Sequence, residues 1–321
     1  MGWLKDIFTR ANKNAKIMSD SSARFEEYIK KFNYTNILGW SASRYDRFSN
    51  CKRQYFYDYY PKFDKDTPLE KIRFLKSLTS RDLETGNIVH DIIRDMFKRY
   101  QKSTKPLNKD RFFKYSYDIT ENYCSSKTFF EHHYNGEIIL VPEIYKKVKN
   151  ILENFLNSSR FTWIEKNAAY KSSEWIIEPE GFGETRINDL KAFCKVDFLF
   201  PVDDKIYIMD WKTGKPIKEK HSKQLTGYAL WANYHFGKKI SDIIPIIAYL
   251  YPQYDEKNVE IDNCLIAEFA NIVANETQDM YRYLTDIEQN IPKDKKEFPL
   301  NDNNFLCKYC SYKEICPGGR R

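Results

Sequence analysis

Apolar residues recur with a helical period in the first half of the chain. This spacing predicts a basic amphipathic helix over residues 1–20, a helix that Ser41 or Ser43 caps, and a helix over residues 82–101. Residues 106–170 also have a mainly helical and polar pattern, without a recognisable motif. We interpret this stretch as a helical insertion.

The pattern changes at residue 173, where short β-branched and aromatic runs begin. Strands are predicted over residues 173–178, 192–200, 205–211 and 243–251, with a short edge strand at 258–261. Helices are predicted over residues 217–236 and 265–290. This order predicts an α/β fold in which helices flank a mixed central sheet.

The composition is that of a folded protein and not of a disordered one. Hydrophobic residues make up 42% of the 321 residues, which is enough for a substantial core. The 52 basic and 45 acidic residues leave a net charge of +7, which permits a nucleic-acid partner without requiring one. No apolar run approaches the ~18 residues of a membrane span, and no signal peptide is evident. We therefore expect a cytoplasmic protein without a membrane partner, in which clustered cysteines indicate a metal site. The sequence does not indicate the oligomeric state.

Two carboxylates and a lysine follow the predicted strands. Asp197 lies in one strand, Asp210 ends the next, and Lys212 follows by two residues. If the strands form a hairpin, the carboxylates converge at one end, and Asp210 and Lys212 share a face. Two carboxylates suit Mg²⁺ or Mn²⁺, and a lysine beside them can act on the attacking water. An ion pair on a surface strand is the alternative, although Asp210 directly follows the apolar run 206–209, where an unpaired carboxylate is costly.

Further candidates lie on the neighbouring helices. Gln224 and Tyr228 are spaced four residues apart and share a helical face, which is either part of the site or an ordinary half-exposed surface. His90 follows Gly86 on an apolar helix and is a candidate third metal ligand, with a packed core histidine as the alternative. The remaining histidines are interpreted as structural: His132, His133, His221 and His235.

A basic run lies close to the predicted site. Such runs are usually only solvated, but beside a phosphodiesterase site this one would attract a nucleic-acid strand. The candidate DNA-binding residues are Lys215, Lys218, Lys220 and Lys223.

Three cysteines cluster near the C-terminus. Cys307 and Cys310 are spaced so that both sulfurs reach one metal, and Cys316 follows with Pro317 after it. We choose Cys51 as the fourth ligand because it lies among basic and aromatic residues. Cys194 and Cys264 lie in or beside apolar stretches and fit buried positions, whereas Cys124 has no informative context. Zinc prefers paired cysteines, so this irregular pattern favours a [4Fe–4S] cluster. It would join the N- and C-terminal regions of the chain and stabilise the fold.

These pieces, taken in order, resemble the RecB-type branch of the PD-(D/E)XK nuclease superfamily. The similarity is to its iron–sulfur form, seen in the AddB nuclease domain and in the cluster-bearing CRISPR adaptation nucleases. The matching pieces are the residues 41–51, 86–90, 196–197, 210–215 and 224–228, and the three C-terminal cysteines.

The resemblance implies a restriction-endonuclease-like fold over residues 41–321, preceded by a helical arm at 1–40. Residues 106–170 would be the insertion and residues 300–321 the cluster-binding tail. It also implies roles for individual residues. The metal ligands would be His90, Asp197, Asp210 and the Trp211 carbonyl, the catalytic lysine would be Lys212, and the supporting helix residues would be Gln224 and Tyr228.

The activity implied by the resemblance is Mg²⁺- or Mn²⁺-dependent cleavage of DNA, by an exonuclease that acts on single strands or ends. A helicase or a CRISPR adaptation protein would be the partner. Lys52 departs from the family, which often has proline there, and no Walker A phosphate loop is present. Two alternatives remain: a catalytically silent, nuclease-fold DNA-binding subunit, and a zinc-ribbon nucleic-acid binder.

Overall fold

The computed structural model describes residues 25–103, 105–178, 183–216 and 218–320. The amphipathic helix predicted over residues 1–20 lies outside these ranges. The chain divides into two units, which are described separately. The first comprises Met1–Phe32, Asp82–Ser125 and Leu140–Asn271, and the second comprises Asn33–Arg81, Ser126–Ile139 and Ile272–Arg321.

The described residues form eleven α-helices and nine strands, and each kind is numbered in chain order. The helices are α1 Ala42–Asn50, α2 Lys52–Tyr59, α3 Leu69–Ser77, α4 Arg81–Lys102, α5 Lys109–Ser126, α6 Phe130–Asn135, α7 Val141–Leu156, α8 Ser159–Asn167, α9 Lys218–Phe236, α10 Asn263–Tyr281 and α11 Asn304–Lys308. The strands are β1 Ile176–Ile177, β2 Glu184–Ile187, β3 Leu190–Phe193, β4 Phe198–Val202, β5 Lys205–Lys212, β6 Ile243–Tyr249, β7 Asp255–Asn258, β8 Leu284–Asp286 and β9 Ile291–Pro292.

A five-stranded mixed sheet in the order β1-β4-β5-β6-β7 organises the first unit. β4 and β5 pair antiparallel across a tight turn, whereas β5 and β6 pair in parallel. The parallel pair requires a crossover, and helix α9 provides it. The predicted α/β fold, a mixed central sheet flanked by helices, is therefore confirmed and is consistent with a restriction-endonuclease-like fold.

Aromatic side chains fill the space between the sheet and its helices. Phe97 of α4 stacks on Phe198 of β4 with ring centroids 4.1 Å apart, and Phe155 of α7 meets Trp211 of β5 at 4.9 Å. These residues are buried, as are Ile206, Ile208 and Met209 of β5. Their burial positions α4 and α7 against the end of β5, where the candidate site lies.

The predicted insertion is helical, but some predicted element boundaries differ from the structure. Residues 106–170 contain α5 to α8. The predicted strand 192–200 is instead split into β3 and β4, and a hairpin turn at Asn188 and Asp189, both with positive φ, joins β2 to β3. The edge strand lies at Asp255–Asn258 rather than 258–261.

The second unit is rich in tyrosine. Tyr57 packs on Tyr312 with centroids 5.0 Å apart, and the Tyr312 hydroxyl donates to Asp58 at 2.6 Å. The Arg53 guanidinium donates to the Phe298 carbonyl at 2.9 Å. These contacts bring helix α2 against the C-terminal segment. The predicted helix 265–290 ends at Tyr281, and the short pair β8–β9 follows.

No helix in the part of the chain that the structure describes is long and apolar enough to cross a membrane.

Candidate active site

The candidate site is built at the end of β5, within the first unit. The ladder between β4 and β5 stops at the pair Phe198–Met209, so Asp197 lies just outside it. There the Asp197 carboxylate accepts a hydrogen bond from the Trp211 N–H at 3.2 Å. This bond brings Asp197 beside the backbone between Asp210 and Lys212, as the predicted hairpin required.

His90 of helix α4 approaches the same residues from the other side. Its Nδ1 lies 3.3 Å from Asp197 Oδ2, and its Nε2 lies 2.9 Å from the Trp211 carbonyl oxygen. Because a carbonyl oxygen can only accept a hydrogen bond, Nε2 carries the proton and donates it to the carbonyl. The structure thus brings together all four groups proposed as metal ligands, the fourth being Asp210.

Asp210 is almost completely buried, with 1% of its surface exposed. Its Oδ1 accepts hydrogen bonds from Gln224 Nε2 at 3.0 Å and from the Tyr228 hydroxyl at 2.7 Å. Its Oδ2 is held by the Lys212 ammonium in an ion pair. A buried carboxylate oxygen with only a charge partner is a suitable position for a cation.

The charge of the Asp210 carboxylate affects the protonation of the neighbouring Asp197 carboxylate. Burial, and then the Asp210 charge, raise the pKa of Asp197 to about 6, although His90 and Lys212 act in the opposite direction. Burial and the same two carboxylates also raise the pKa of Tyr228 well above its usual value, so its hydroxyl keeps its proton and donates. A bound divalent cation would offset the repulsion between the carboxylates.

The donor set fits a hard divalent cation. Two carboxylates, one imidazole and one backbone carbonyl are ligands that Mg²⁺ or Mn²⁺ accepts. Within the described ranges, however, no group of three or more His, Cys, Asp or Glu side chains is already arranged around a metal position. His90 could coordinate a cation through Nδ1, which faces Asp197, while Nε2 keeps its hydrogen bond to the Trp211 carbonyl.

The basic run is only partly described. Lys215 is exposed and Lys223 is half-buried on α9. The side chains of Lys218 and Lys220 lie outside the described residues.

His221, interpreted from the sequence as merely structural, belongs to the surroundings of the site. It is buried, and its Nδ1 lies 2.6 Å from the Tyr249 hydroxyl. Tyr249 pairs with Lys212 across β5 and β6. The spacing of three residues between His221 and Gln224 places both on one face of α9, and this was the signal available in the sequence.

The four predicted cluster cysteines lie around one cavity of about 200 Å³ in the second unit. An added Cβ at Gly318 would lie 3.5 Å from Cys307 Sγ and 3.8 Å from Cys316 Sγ. Burial, together with the neighbouring thiols of Cys51, Cys316 and Cys307, raises the pKa of Cys310 to about 12, although a hydrogen bond with the Tyr312 backbone acts in the opposite direction. Four sulfurs around one cavity fit a thiolate-ligated metal or cluster, although they are not pre-arranged as a closed ligand group in the described structure.

The remaining cysteines are distributed as follows. Cys194 is buried, as predicted, whereas the prediction that Cys264 is buried is wrong, because it lies exposed near the start of α10. Cys51 also accepts a hydrogen bond from the Gln54 N–H at 3.4 Å and caps α2.

Comparisons with known proteins bear on the family. The structure titled "Crystal structure of SSO0001" is similar at 18% identity and a TM-score of 0.28, over 59% of this chain and 79% of that chain. No curated protein matches the chain. The family model of the PD-(D/E)XK nuclease superfamily matches residues 39–317, a range that includes both the site at the end of β5 and the four cysteines. The chain belongs to the PD-(D/E)XK nuclease superfamily.

Proposed function

We propose that this chain is a deoxyribonuclease that depends on Mg²⁺ or Mn²⁺ and hydrolyses phosphodiester bonds. The observation that supports it most is the set of contacts around Asp210. This buried carboxylate has Lys212 at one oxygen and the donors Gln224 and Tyr228 at the other, with Asp197 adjacent. Such an arrangement holds a charged oxygen in one orientation, as a metal ligand requires.

Each side chain has a definable task in this proposal. His90, Asp197, Asp210 and the Trp211 carbonyl would hold the cation, which supplies an activated water and stabilises charge on the phosphate. Lys212 is 24% exposed at its side chain, so it can reach both the buried carboxylate and a phosphate in solvent. It would orient the attacking water and offset charge in the transition state. Gln224 and Tyr228 fix the orientation of Asp210.

Preference for single strands or ends, and therefore exonuclease action, is part of the proposal and rests on the resemblance to RecB-type nucleases. The same resemblance supports a helicase or a CRISPR adaptation protein as a partner. A catalytically silent subunit is the competing function, and activity measurements separate the two.

The experiment is digestion of end-labelled linear single-stranded, linear double-stranded and circular single-stranded DNA, with Mg²⁺, Mn²⁺ or EDTA. We expect metal-dependent cleavage of the linear single strand, and loss of at least about 100-fold in Asp210→Asn and Lys212→Met. Asp204→Asn and Lys205→Met are matched controls, because these residues are exposed at the opposite end of the same strand pair. Full activity of either site variant would contradict the assignment, and cleavage of the circular strand would contradict the exonuclease mode.

We also propose that Cys51, Cys307, Cys310 and Cys316 hold a [4Fe–4S] cluster. Their position around one common cavity supports this proposal. Anaerobically purified protein should contain about four irons and four sulfides per chain. Zinc without sulfide would instead favour a zinc-binding tail.

A further inference from the structure

An exposed aromatic residue follows the strand next to the catalytic one. Tyr249 at the end of β6 pairs in register with Lys212, and the Leu250 N–H donates to the Lys212 carbonyl at 2.8 Å. Tyr251 comes next and is 37% exposed. Because parallel strands end at the same edge of a sheet, Tyr251 lies at the edge that carries the candidate site.

The backbone around Tyr251 is fixed from helix α7. Asn154 Nδ2 donates to the Leu250 carbonyl at 2.9 Å and to the Pro252 carbonyl at 3.0 Å. These carbonyls lie on either side of Tyr251. An exposed ring whose backbone is held on both sides loses little conformational entropy when a ligand stacks on it.

One lysine of the same helix lies over the ring, and two more line the cavity beside it. Lys147 Nζ lies 5.4 Å from the Tyr251 ring centroid. A cavity of about 560 Å³ beside the ring is lined by Tyr251, Lys146, Lys147 and Lys149, and also by Glu143 and Glu153. Lys149 is paired with Glu153 at 3.8 Å and Lys147 with Asp82 at 2.7 Å, whereas Lys146 is exposed. The cavity therefore offers an aromatic face and, at Lys146, positive charge to one ligand.

Helix α4 connects this cavity to the site. Lys147 pairs with Asp82 at 2.7 Å. Asp82 and His90 lie about 12 Å apart along the axis of α4, because each helical residue adds about 1.5 Å. Between them, Gly86 lies so close to Thr213 that an added Cβ would be 3.1 Å from its hydroxyl. The first turns of α4 thus extend from the cavity, at Asp82, to the candidate site, at His90.

From these contacts we infer that Tyr251 stacks on one unpaired base of the bound DNA strand, a few nucleotides from the scissile phosphate. Lys146 contacts a phosphate that flanks this base, and Lys147 contacts the other by exchanging Asp82 for the phosphate. The inference rests on the proposed nuclease function and adds a position on the substrate to it. Aromatic rings and lysines together are the usual means of binding single strands irrespective of sequence. A base in a duplex has both faces stacked, so this subsite selects for an unpaired nucleotide.

The test is the cleavage kinetics of single-stranded oligonucleotides in which one nucleotide at a time is abasic. With the wild-type chain, one abasic position should raise KM about tenfold, and Tyr251→Ala should raise KM of the intact strand by a similar factor with little change in kcat. The abasic effect should disappear in Tyr251→Ala, while Tyr251→Phe should retain it. Tyr170→Ala is the matched control, because Tyr170 is an exposed tyrosine elsewhere in the first unit.

A second variant tests the phosphate contact. Lys147→Met should reduce the slope of log affinity against log salt concentration by about 0.7, the value for one contact on a single strand. Active protein with a flat abasic scan in the wild type overturns the inference, whether or not Tyr251→Ala folds. An unchanged KM in folded Tyr251→Ala, or an unchanged salt slope in Lys147→Met, also overturns it. Absence of cleavage and binding with every DNA and metal would instead contradict the proposed function.

Discussion

The ion pair between Asp210 and Lys212 should stabilise the fold as well as serve the chemistry. The Asp210 side chain is only 2% exposed, and Lys212 is the cation that compensates it. Replacing Lys212 by methionine removes this charge and leaves a buried carboxylate with two neutral donors, Gln224 and Tyr228. We therefore expect Lys212→Met to lower the free energy of unfolding in the absence of metal.

The magnitude follows from the surroundings of the pair. Breaking a buried ion pair by removing one partner costs about 3–5 kcal/mol. The value here should be at the lower end, about 3 kcal/mol, because the Lys212 side chain is 24% exposed and both donors to Oδ1 remain. In an Asp210→Asn background no carboxylate is left without compensation, so Lys212→Met should cost about 1 kcal/mol, as an ordinary substitution does. The coupling between the two substitutions is then about 2 kcal/mol.

The assay is a double-mutant cycle measured by urea denaturation. The wild type, Asp210→Asn, Lys212→Met and the double variant are each unfolded in EDTA and again with Mg²⁺. A bound cation takes over the compensating charge of Lys212, so Mg²⁺ should raise the stability of Lys212→Met and reduce the coupling. Both single variants should remain inactive in either case. Additivity of the two substitutions within about 0.5 kcal/mol in EDTA would refute the reasoning.

Three further predictions concern other parts of the chain. Tyr228→Phe removes a donor to Asp210 and should lower kcat about tenfold in cleavage assays, whereas Tyr234→Phe on the same helix should not. Burial lowers the pKa of His235 from 6.5 to about 4, so the unfolded chain binds this proton first as pH falls. Stability should be lost below pH 6.5, by up to about 3 kcal/mol near pH 4, and pH-dependent urea titration of His235→Gln should lack this component. Cys51→Ala should lose iron and become protease-sensitive near both residue 51 and the tail, whereas Cys124→Ala should not; equal protection in both variants would argue against Cys51 as a ligand.

Local periodicity made much of the candidate site predictable. Asp210 and Lys212 share a face because strand residues alternate, and Gln224 and Tyr228 share a face because helix residues repeat every three to four positions. The apolar runs that became β5 and β6 are long enough to be recognised alone. These features depend on neighbours in the sequence, so composition and spacing are sufficient to predict them.

The break before β4 could not be predicted in the same way. Residues 194–197 alternate apolar and charged side chains and resemble a strand, yet they lie between the β2–β3 hairpin and the sheet. What ends the ladder is tertiary: the Asp197 side chain bonds the Trp211 N–H, and the Glu178 N–H donates to the Asp197 carbonyl at 3.0 Å. Partners this distant in sequence leave no periodic signal.

The environment of Cys264 was misjudged for a related reason. Cys264 lies beside apolar residues in the sequence, but near a helix start only one face is covered, and Cys264 falls on the other. His221, interpreted as structural, lies in a basic run, and its burial comes from Tyr249 on a distant strand. Burial is a property of what packs against a residue, and neighbours along the chain indicate it only when the element is covered on all sides.

The same distinction separates the proposed catalytic residues from the proposed base-stacking subsite at Tyr251. Catalysis requires a few atoms in fixed relation, and a strand followed by a helix can supply them within a short stretch of sequence, as Asp210 to Tyr228 do. Holding a strand of DNA requires a longer surface, and the contacts of Asp82, Lys147 and Tyr251 bring together three segments distant in sequence to form it. Substitutions of Tyr251 or Lys147 should therefore alter KM and the salt dependence of binding, whereas substitutions of Asp210 or Lys212 should alter kcat. Kinetic parameters measured on one substrate series can separate these two roles within a single unit of the fold.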